Sequence, residues 1–208
     1  MTDRFVLGAP LGRWQTNCFV IGDHDRGTAV VIDPGEHGET QVPVLLHADD
    51  RWLWDDPAAA FGMPSELLEQ QFGLRWDPPT EHLLEVTHAQ RLSFAGVDFE
   101  VAHNPGHTPG HVTYLGSDLA GVPVTFALGE RDEASDAVLF SGDLVFSGSI
   151  GRTDFPRGST EDMMRSLAGT VLPLQDDTLI LSGHGPDTTV GHERATNPFL
   201  REAAARHG

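Results

Sequence analysis

The stretch Asn104-Pro105-Gly106-His107-Thr108-Pro109-Gly110 sets one histidine in a turn with two prolines and two glycines. Proline fixes φ and glycine admits conformations closed to other residues, so such a loop can hold one side chain in one place. Two further segments repeat the plan. Phe140-Ser141-Gly142-Asp143 continues the apolar run Ala137-Val138-Leu139-Phe140, and Leu181-Ser182-Gly183-His184-Gly185 continues Thr178-Leu179-Ile180-Leu181. Each puts one ligand-type residue in a Gly-rich turn, two of them at the end of a strand-like run, where functional groups are commonly presented. Taken alone, a His in a Gly-Pro loop or an Asp after Ser-Gly is more often an ordinary turn residue. Together, two imidazoles and a carboxylate suit zinc or non-haem iron.

Around these segments the chain reads as mixed α/β. Asn17-Cys18-Phe19-Val20-Ile21 and Thr28-Ala29-Val30-Val31-Ile32 are apolar runs joined by a turn-rich stretch from Gly22 to Gly27. Val30-Val31-Ile32 does not alternate, so a strand covered on both faces is expected. Val42-Pro43-Val44-Leu45-Leu46 is the next apolar strand. Helices are expected over Ala48 to Trp54 and over Ser65 to Phe72, with Pro64 at the first helical position of the second and Gly73 as its stop. Arg91 to Phe94 and Val97 to Ala102 flank Ala95-Gly96 as a hairpin, and Val112 to Leu115 adds a strand. Ser159-Thr160-Glu161-Asp162 opens a helix that ends near Ala168, before Gly169, and Asn197-Pro198 opens a last one. No repeat or linker divides residues 1–208, so a single domain with sheets inside and helices outside is expected.

If the strands ending at Ile32 and beginning at Val42 are parallel neighbours or share a sheet, the join between them is too short for a helical crossover, though long enough for a hairpin. From Pro34 to Val42 there are nine residues, rich in Gly and acids. Parallel neighbours in one sheet need a crossover of a dozen residues or more, usually with a helix.

Composition narrows the function. The net charge is −18, from 13 basic and 31 acidic residues, and every basic residue is Arg. The acidity opposes binding to nucleic acid or to an anionic membrane, and the lack of Lys excludes a Schiff-base lysine. No apolar run approaches the roughly 20 residues needed to span a membrane. Met-Thr-Asp-Arg-Phe-Val-Leu-Gly shows no signal-peptide pattern, and a single Cys, Cys18, forms no internal disulfide. A cytoplasmic enzyme is expected.

The three turn segments, in this order, resemble those of the metallo-β-lactamase fold and, within it, of the glyoxalase II-like hydrolases. The resemblance runs from about Gly8 to Leu200. Asn17-Cys18-Phe19, Val31-Ile32-Asp33-Pro34-Gly35 and Pro43-Val44-Leu45-Leu46-His47 are similar to early strands of that group. Ser149-Ile150-Gly151-Arg152-Thr153-Asp154-Phe155 and Gly191-His192-Glu193-Arg194-Ala195-Thr196-Asn197-Pro198-Phe199 resemble segments of a compact bacterial subgroup. The resemblance implies a four-layer αββα sandwich. It makes His107 a ligand of one metal, His184 a ligand of a second, and Asp143 the carboxylate that bridges them and orients the attacking hydroxide. It implies two zinc ions, with iron or manganese as alternatives, and a thioester of a small thiol, such as an S-hydroxyacyl adduct, as substrate.

The family's strongest signature, His-x-His-x-Asp-His, is absent from all 208 residues. It would fall near residues 36–41, at the short join, so a piece on the scale of a βαβ unit, about 30 residues, is missing there. Either the chain is the ordered part of a longer protein or it is a true deletion form. Three ligands are too few for two four-coordinate zinc ions. The resemblance also admits a persulfide dioxygenase with a single iron. A chain that truly lacks the motif would be a metal-free relative or a binding module. Of the other candidates, His47 and His111 lie near the proposed site, and His37 lies at the join. His24, His82, His88, His103, His192 and His207 read as surface or packing residues, and Cys18 as buried packing. Trp14, Trp52, Trp54 and Trp76 read as core or helix-packing groups rather than a substrate platform. Arg152 and Asp154 read as an ion pair beneath the site.

Overall fold

The N-terminal strands alternate between a sealed and an open face. In the computed structural model, which describes residues 3–34, 43–73, 83–126, 129–131 and 135–207, β1 (Arg4–Leu11), β2 (Thr16–Asp23) and β3 (Thr28–Ile32) form an antiparallel meander. Val6, Phe19, Ile21 and Ile32 point inward and are buried. Leu7, Val20 and Val31 lie side by side on the other face, and Leu7 and Val31 stay 47% and 48% exposed. The expected two-sided burial of Val30-Val31-Ile32 is therefore corrected. Among the described residues β3 ends its sheet, and an unbroken β-branched run does not by itself say that both faces are covered.

Beyond the short join, β4 (Val44–Leu46) is followed by a tight 3-10 turn, α1 (Arg51–Asp55), a second 3-10 turn over Pro57–Phe61, and α2 (Ser65–Phe72). Pro64 is the N-cap of α2 rather than its first residue, and Gly73 ends it in the left-handed conformation. β4 pairs in parallel with β5 (Leu83–Glu85), and among the described residues the two form a separate sheet. Among the described residues, β3 and β4 are therefore not sheet neighbours. The join itself, with His37, lies outside the described residues, as do His82 and Trp76.

The second half builds the other large sheet. β6 (Arg91–Phe94) and β7 (Val97–His103) meet at Ala95-Gly96, both with positive φ, as a tight hairpin of this kind demands. β8 (Val112–Ser117) continues the sheet, while β9 (Val124–Phe126) and β10 (Gly129–Arg131) return to the first sheet beside β1. Then come β11 (Ala137–Gly142), α3 (Thr160–Ser166), β12 (Leu179–Ser182), β13 (Thr188–Thr189), α4 (Val190–Thr196) and α5 (Pro198–His207). The six-stranded order is β13-β12-β11-β8-β7-β6. α3 runs on into a π turn over Leu167–Val171 that includes Gly169, so that glycine does not stop the helix.

Two apolar layers hold these parts. Val138, Phe140, Leu179 and Leu181 face Val6, Phe19 and Ile21 of the first sheet. Their neighbours Leu139 and Ile180 point the other way, against Met163, Met164, Leu167, Val190 and Leu200 of the helices. Each such side chain contributes about 1.5–3 kcal/mol by leaving water. β11 and β12 are thus fixed from both faces, and the α/β class and the packed-sheet architecture are as expected.

Candidate metal centre

Three turns meet at one end of the packed sheets. The His107 turn is tied down on all sides. Asn104, 1% exposed, donates to the Ala102 carbonyl and to Thr113 Oγ1 at 2.9 and 2.8 Å. Ser166 Oγ donates to the Pro105 carbonyl, and the Ser159 N–H to that of Gly106. The buried Asp50 carboxylate accepts from Thr108 Oγ1 and from the Gly110 N–H at 2.7 Å. A Cβ on Gly106 would stand 2.7 Å from Met163 Cα, so only glycine lets this turn lie against α3.

The His184 turn is held by Asn17 on β2. Its amide donates to the Ser182 and Gly185 carbonyls at 2.8 and 2.9 Å, and its N–H to Gly183 at 2.8 Å. A Cβ on Gly183 would sit 2.3 Å from Asp143 Oδ1, so a side chain where the two turns touch would push the carboxylate aside. Asp143 is steadied from behind by His111, whose Nε2 accepts the Asp143 N–H at 3.0 Å. Burial, then the neighbouring imidazoles of His107 and His103, push His111 down to about 3, so its ring is neutral and serves as an acceptor.

The orientation of the two remaining imidazoles decides the chemistry. His107 Nδ1 lies 2.8 Å from the Arg152 carbonyl, and His184 Nδ1 lies 3.2 Å from that of Gln15. A carbonyl only accepts, so both Nδ1 atoms carry the proton. Both Nε2 atoms face Asp143 Oδ2, at 3.4 Å from His107 and 3.8 Å from His184. Two lone pairs turned on a carboxylate repel it unless a cation lies among them. Donors joined by two bonds of about 2.1 Å at a tetrahedral angle stand about 3.4 Å apart, close to these separations. A histidine whose other nitrogen donates to a backbone carbonyl is the usual metal-ligand arrangement. The donor set therefore fits a divalent ion. Nearby, burial and then the Asp143 charge raise the carboxyl of Asp33 to about 7.

Among the described residues, the one trio whose donor atoms all lie within 4.8 Å of one another is His47, Asp49 and His103. It is the poorer metal site. The His47 and His103 rings stack at 3.9 Å with planes 12° apart, so their in-plane lone pairs cannot converge. His103 Nε2 is bound to the Pro109 carbonyl, and His47 Nδ1 accepts from the Asp49 N–H. The three turns by contrast bring His107, Asp143 and His184 together, with His111 behind them.

Several supports have no local sequence signal. Asp50 and Asn17 act on turns far along the chain. Glu193 and Asn197 lie in one of the two segments matched to the compact subgroup and grip the other. Glu193 accepts from the Gly148 N–H and from Asn197, which donates also to the Ser149 carbonyl. Arg152 and Asp154 do pair, through two bonds of 2.6 and 2.7 Å, but on the exposed surface and not beneath the site; it is the Arg152 carbonyl that serves His107. Trp14 is 43% exposed, which corrects its reading as a core group, while Cys18 is buried as expected.

Residues 132–184, which include Asp143 and His184, match the model of the metallo-β-lactamase superfamily. A hydroxyacylglutathione hydrolase, GloC, of Haemophilus influenzae is 32% identical, with 92% of this chain and 95% of the relative covered. Among solved structures, BLEG-1, a B3 metallo-β-lactamase, superposes with a TM-score of 0.71 at 31% identity, covering 94% of this chain and 99% of its own. TTHA1623 in a di-iron-bound form gives 0.67 at 28% identity, covering 92% and 98%. The alignment with the Haemophilus protein runs over 230 positions but takes up 92% of 208 residues, so about 39 positions stand opposite a gap in this chain. With a relative at this identity matched over nearly its whole length, the chain belongs to the metallo-β-lactamase superfamily.

Proposed function

We propose that the protein is a metal-dependent hydrolase of thioesters of a small thiol. One observation carries the metal part: the Nε2 atoms of His107 and His184 both turn on Asp143 while each Nδ1–H is anchored to a backbone carbonyl. The thioester part rests on the likeness to the Haemophilus hydroxyacylglutathione hydrolase. His107 and His184 would each hold one ion, with Asp143 shared between them, and zinc is the proposed metal. Bound divalent ions supply Lewis acidity and lower the pKa of water toward neutrality. The protein's part is to fix the donors. Asn17 and Asp50 brace the His184 and His107 turns, and His111 holds the backbone of Asp143 so that its carboxylate faces both imidazoles. The described donors fall short of four ligands for each of two zinc ions, so further donors, water among them, would complete the shell.

The test is metal content and turnover on one preparation. Protein loaded with zinc, iron or manganese and freed of excess is assayed by plasma mass spectrometry. It is then given S-lactoyl thioesters of small thiols, with release of thiol followed by a chromogenic disulfide. Retained metal and thiol release, both lost in Asp143→Asn, are expected. Wild-type protein that retains no metal would refute the reading. Retained metal with nitrocefin cleavage, or with oxygen uptake on a persulfide, in place of thiol release would replace the thioester reading by a β-lactamase or dioxygenase one.

A further inference from the structure

A row of aromatic rings runs along the rim of the donor set. Phe155 stands edge-on to the His107 ring, with centroids 5.0 Å apart. Phe61 meets Phe155 edge-on at 6.5 Å and stacks on Trp14 at 5.7 Å, planes 23° apart. Trp14 directly precedes Gln15, whose carbonyl anchors His184. The row therefore starts beside the anchor of one proposed ligand and ends against the other. Its members come from three separate places: the β1–β2 turn, the 3-10 turn before α2, and the loop after β11. Trp14 and Phe61 each remain 43% exposed. A single exposed aromatic needs no explanation, but a contiguous row abutting a polar donor set is what a ligand site combines: apolar area for affinity and a few convergent polar groups for chemistry.

Charge narrows the ligand. Arg152 lies over the Phe155 ring at 4.3 Å, but both of its hydrogen bonds go to Asp154, so its charge is satisfied locally. The net charge of −18 gives the surface a field that repels anions. An uncharged apolar group suits the ledge better than a carboxylate-bearing one.

We propose that the Trp14–Phe61–Phe155 ledge is a substrate subsite that takes an uncharged apolar substituent, an aliphatic chain or aromatic ring, of the thioester hydrolysed at the donor set. The inference rests on the thioester reading for its substrate class and on the aromatic row for the subsite. It makes Trp14 and Phe61 specificity determinants.

The experiment separates the two readings by measuring binding without turnover. Non-hydrolysable S-ethyl, S-butyl, S-hexyl and S-benzyl thioethers of N-acetylcysteamine are titrated calorimetrically into metal-loaded wild type, Trp14→Ala, Phe61→Ala and Trp14→Phe. In wild type the affinity should rise about two- to fourfold per methylene, as burial of each CH₂ on a half-open surface predicts. The rise should flatten in both alanine variants and survive in Trp14→Phe. Matching far-UV circular dichroism and equal retained metal in all four proteins confirm that they are folded. Affinity independent of chain length in wild type, or a rise unchanged in the alanine variants, overturns the proposal. So does a wild-type mass in light scattering that grows with concentration and falls in Trp14→Ala, because the ledge would then cover a second copy of the chain. The matching thioesters complete the test. Chain-length-dependent binding without thiol release leaves the ledge and removes the hydrolase, whereas thiol release with chain-independent KM and flat thioether binding does the reverse.

Discussion

Glu193→Ala should destabilise the protein by about 3 kcal/mol, and the figure follows from what the carboxylate leaves behind. Glu193 is fully buried, and its oxygens accept from the Gly148 N–H at 2.8 Å, from Thr188 Oγ1 at 2.6 Å and from the Asn197 amide at 2.9 Å. A buried carboxylate costs desolvation energy, so its removal can be neutral when its partners leave with it. Here the partners stay. The Thr188 hydroxyl can rotate, and Asn197 keeps the Ser149 carbonyl at 3.0 Å, so those two lose little. The Gly148 N–H cannot move and loses its acceptor, at about 1–3 kcal/mol for an orphaned donor, and the two partial losses and the lost packing add roughly as much again. Glu193→Gln keeps the volume and one acceptor oxygen but sets an NH₂ against a donor, so it should cost about half as much. Domains of this kind have about 5–15 kcal/mol in total, so the loss is readable by urea denaturation at constant m-value. Because the gripped loop leads from Asp143 to the carbonyl of Arg152, metal affinity should fall in parallel. Glu193→Ala within 0.5 kcal/mol of wild type, or Glu193→Gln as damaging as Glu193→Ala, would refute the reasoning.

Gly106→Ala forces a Cβ to within 2.7 Å of Met163 Cα, a backbone atom that cannot yield, so a loss of about 1–3 kcal/mol and weaker metal retention are expected by urea melts and metal analysis. Cys18, buried and with its thiol pushed up by burial and then by the Asp33 charge, should resist a chromogenic disulfide in the native state and react once unfolded in urea. In chelator-treated protein, Asp33, held near 7 against an unfolded value of about 3.9, binds more protons folded than unfolded, so it lowers stability as pH rises from about 4 to 7. His111, held near 3 against an unfolded value of about 6.5, does the opposite and raises stability from about pH 3 to 6.5. The two slopes nearly cancel in wild type, and Asp33→Asn, which suits the left-handed φ of 53° there, should leave stability climbing by about 1.4 kcal/mol per pH unit up to about pH 6.5.

The parts of the fold that were legible are those whose cause is local. The hairpin at Ala95-Gly96, the Ser159 cap of α3 and the Asn197-Pro198 start of α5 each depend on a few adjacent residues, and all are found. The apolar run of β3 is equally good for a central strand and for a terminal strand with one bare face, and only the partner sheet decides between them. β9, which returns to β1 from more than 100 residues away and carries β10 on its other edge, has no local signal of that partnership. The same division runs through the site. The Gly-rich turns announce His107, Asp143 and His184, whereas Asn17 and Asp50, 165 and 58 residues from the groups they bind, look like any polar residue near a strand end.

The two histidines of His107-Thr108-Pro109-Gly110-His111 show where sequence reasoning stops and geometry begins. They share one loop and one residue type, and either could be the ligand on composition alone. His107 has a carbonyl behind its Nδ1, so its Nε2 lone pair is left facing the carboxylate of Asp143. The Nε2 of His111 is already taken by the Asp143 N–H, and its Nδ1 is sealed without a partner in a site that keeps the ring neutral. A cation could bind His111 only by breaking the hydrogen bond that holds Asp143, so ligation by His111 would undo the site it enters. The proposed roles, His107 as the donor and His111 as the positioning residue, rest on which nitrogen is free, and the four-residue spacing matters because it lets one proline-stiffened loop reach Asp143 from two sides.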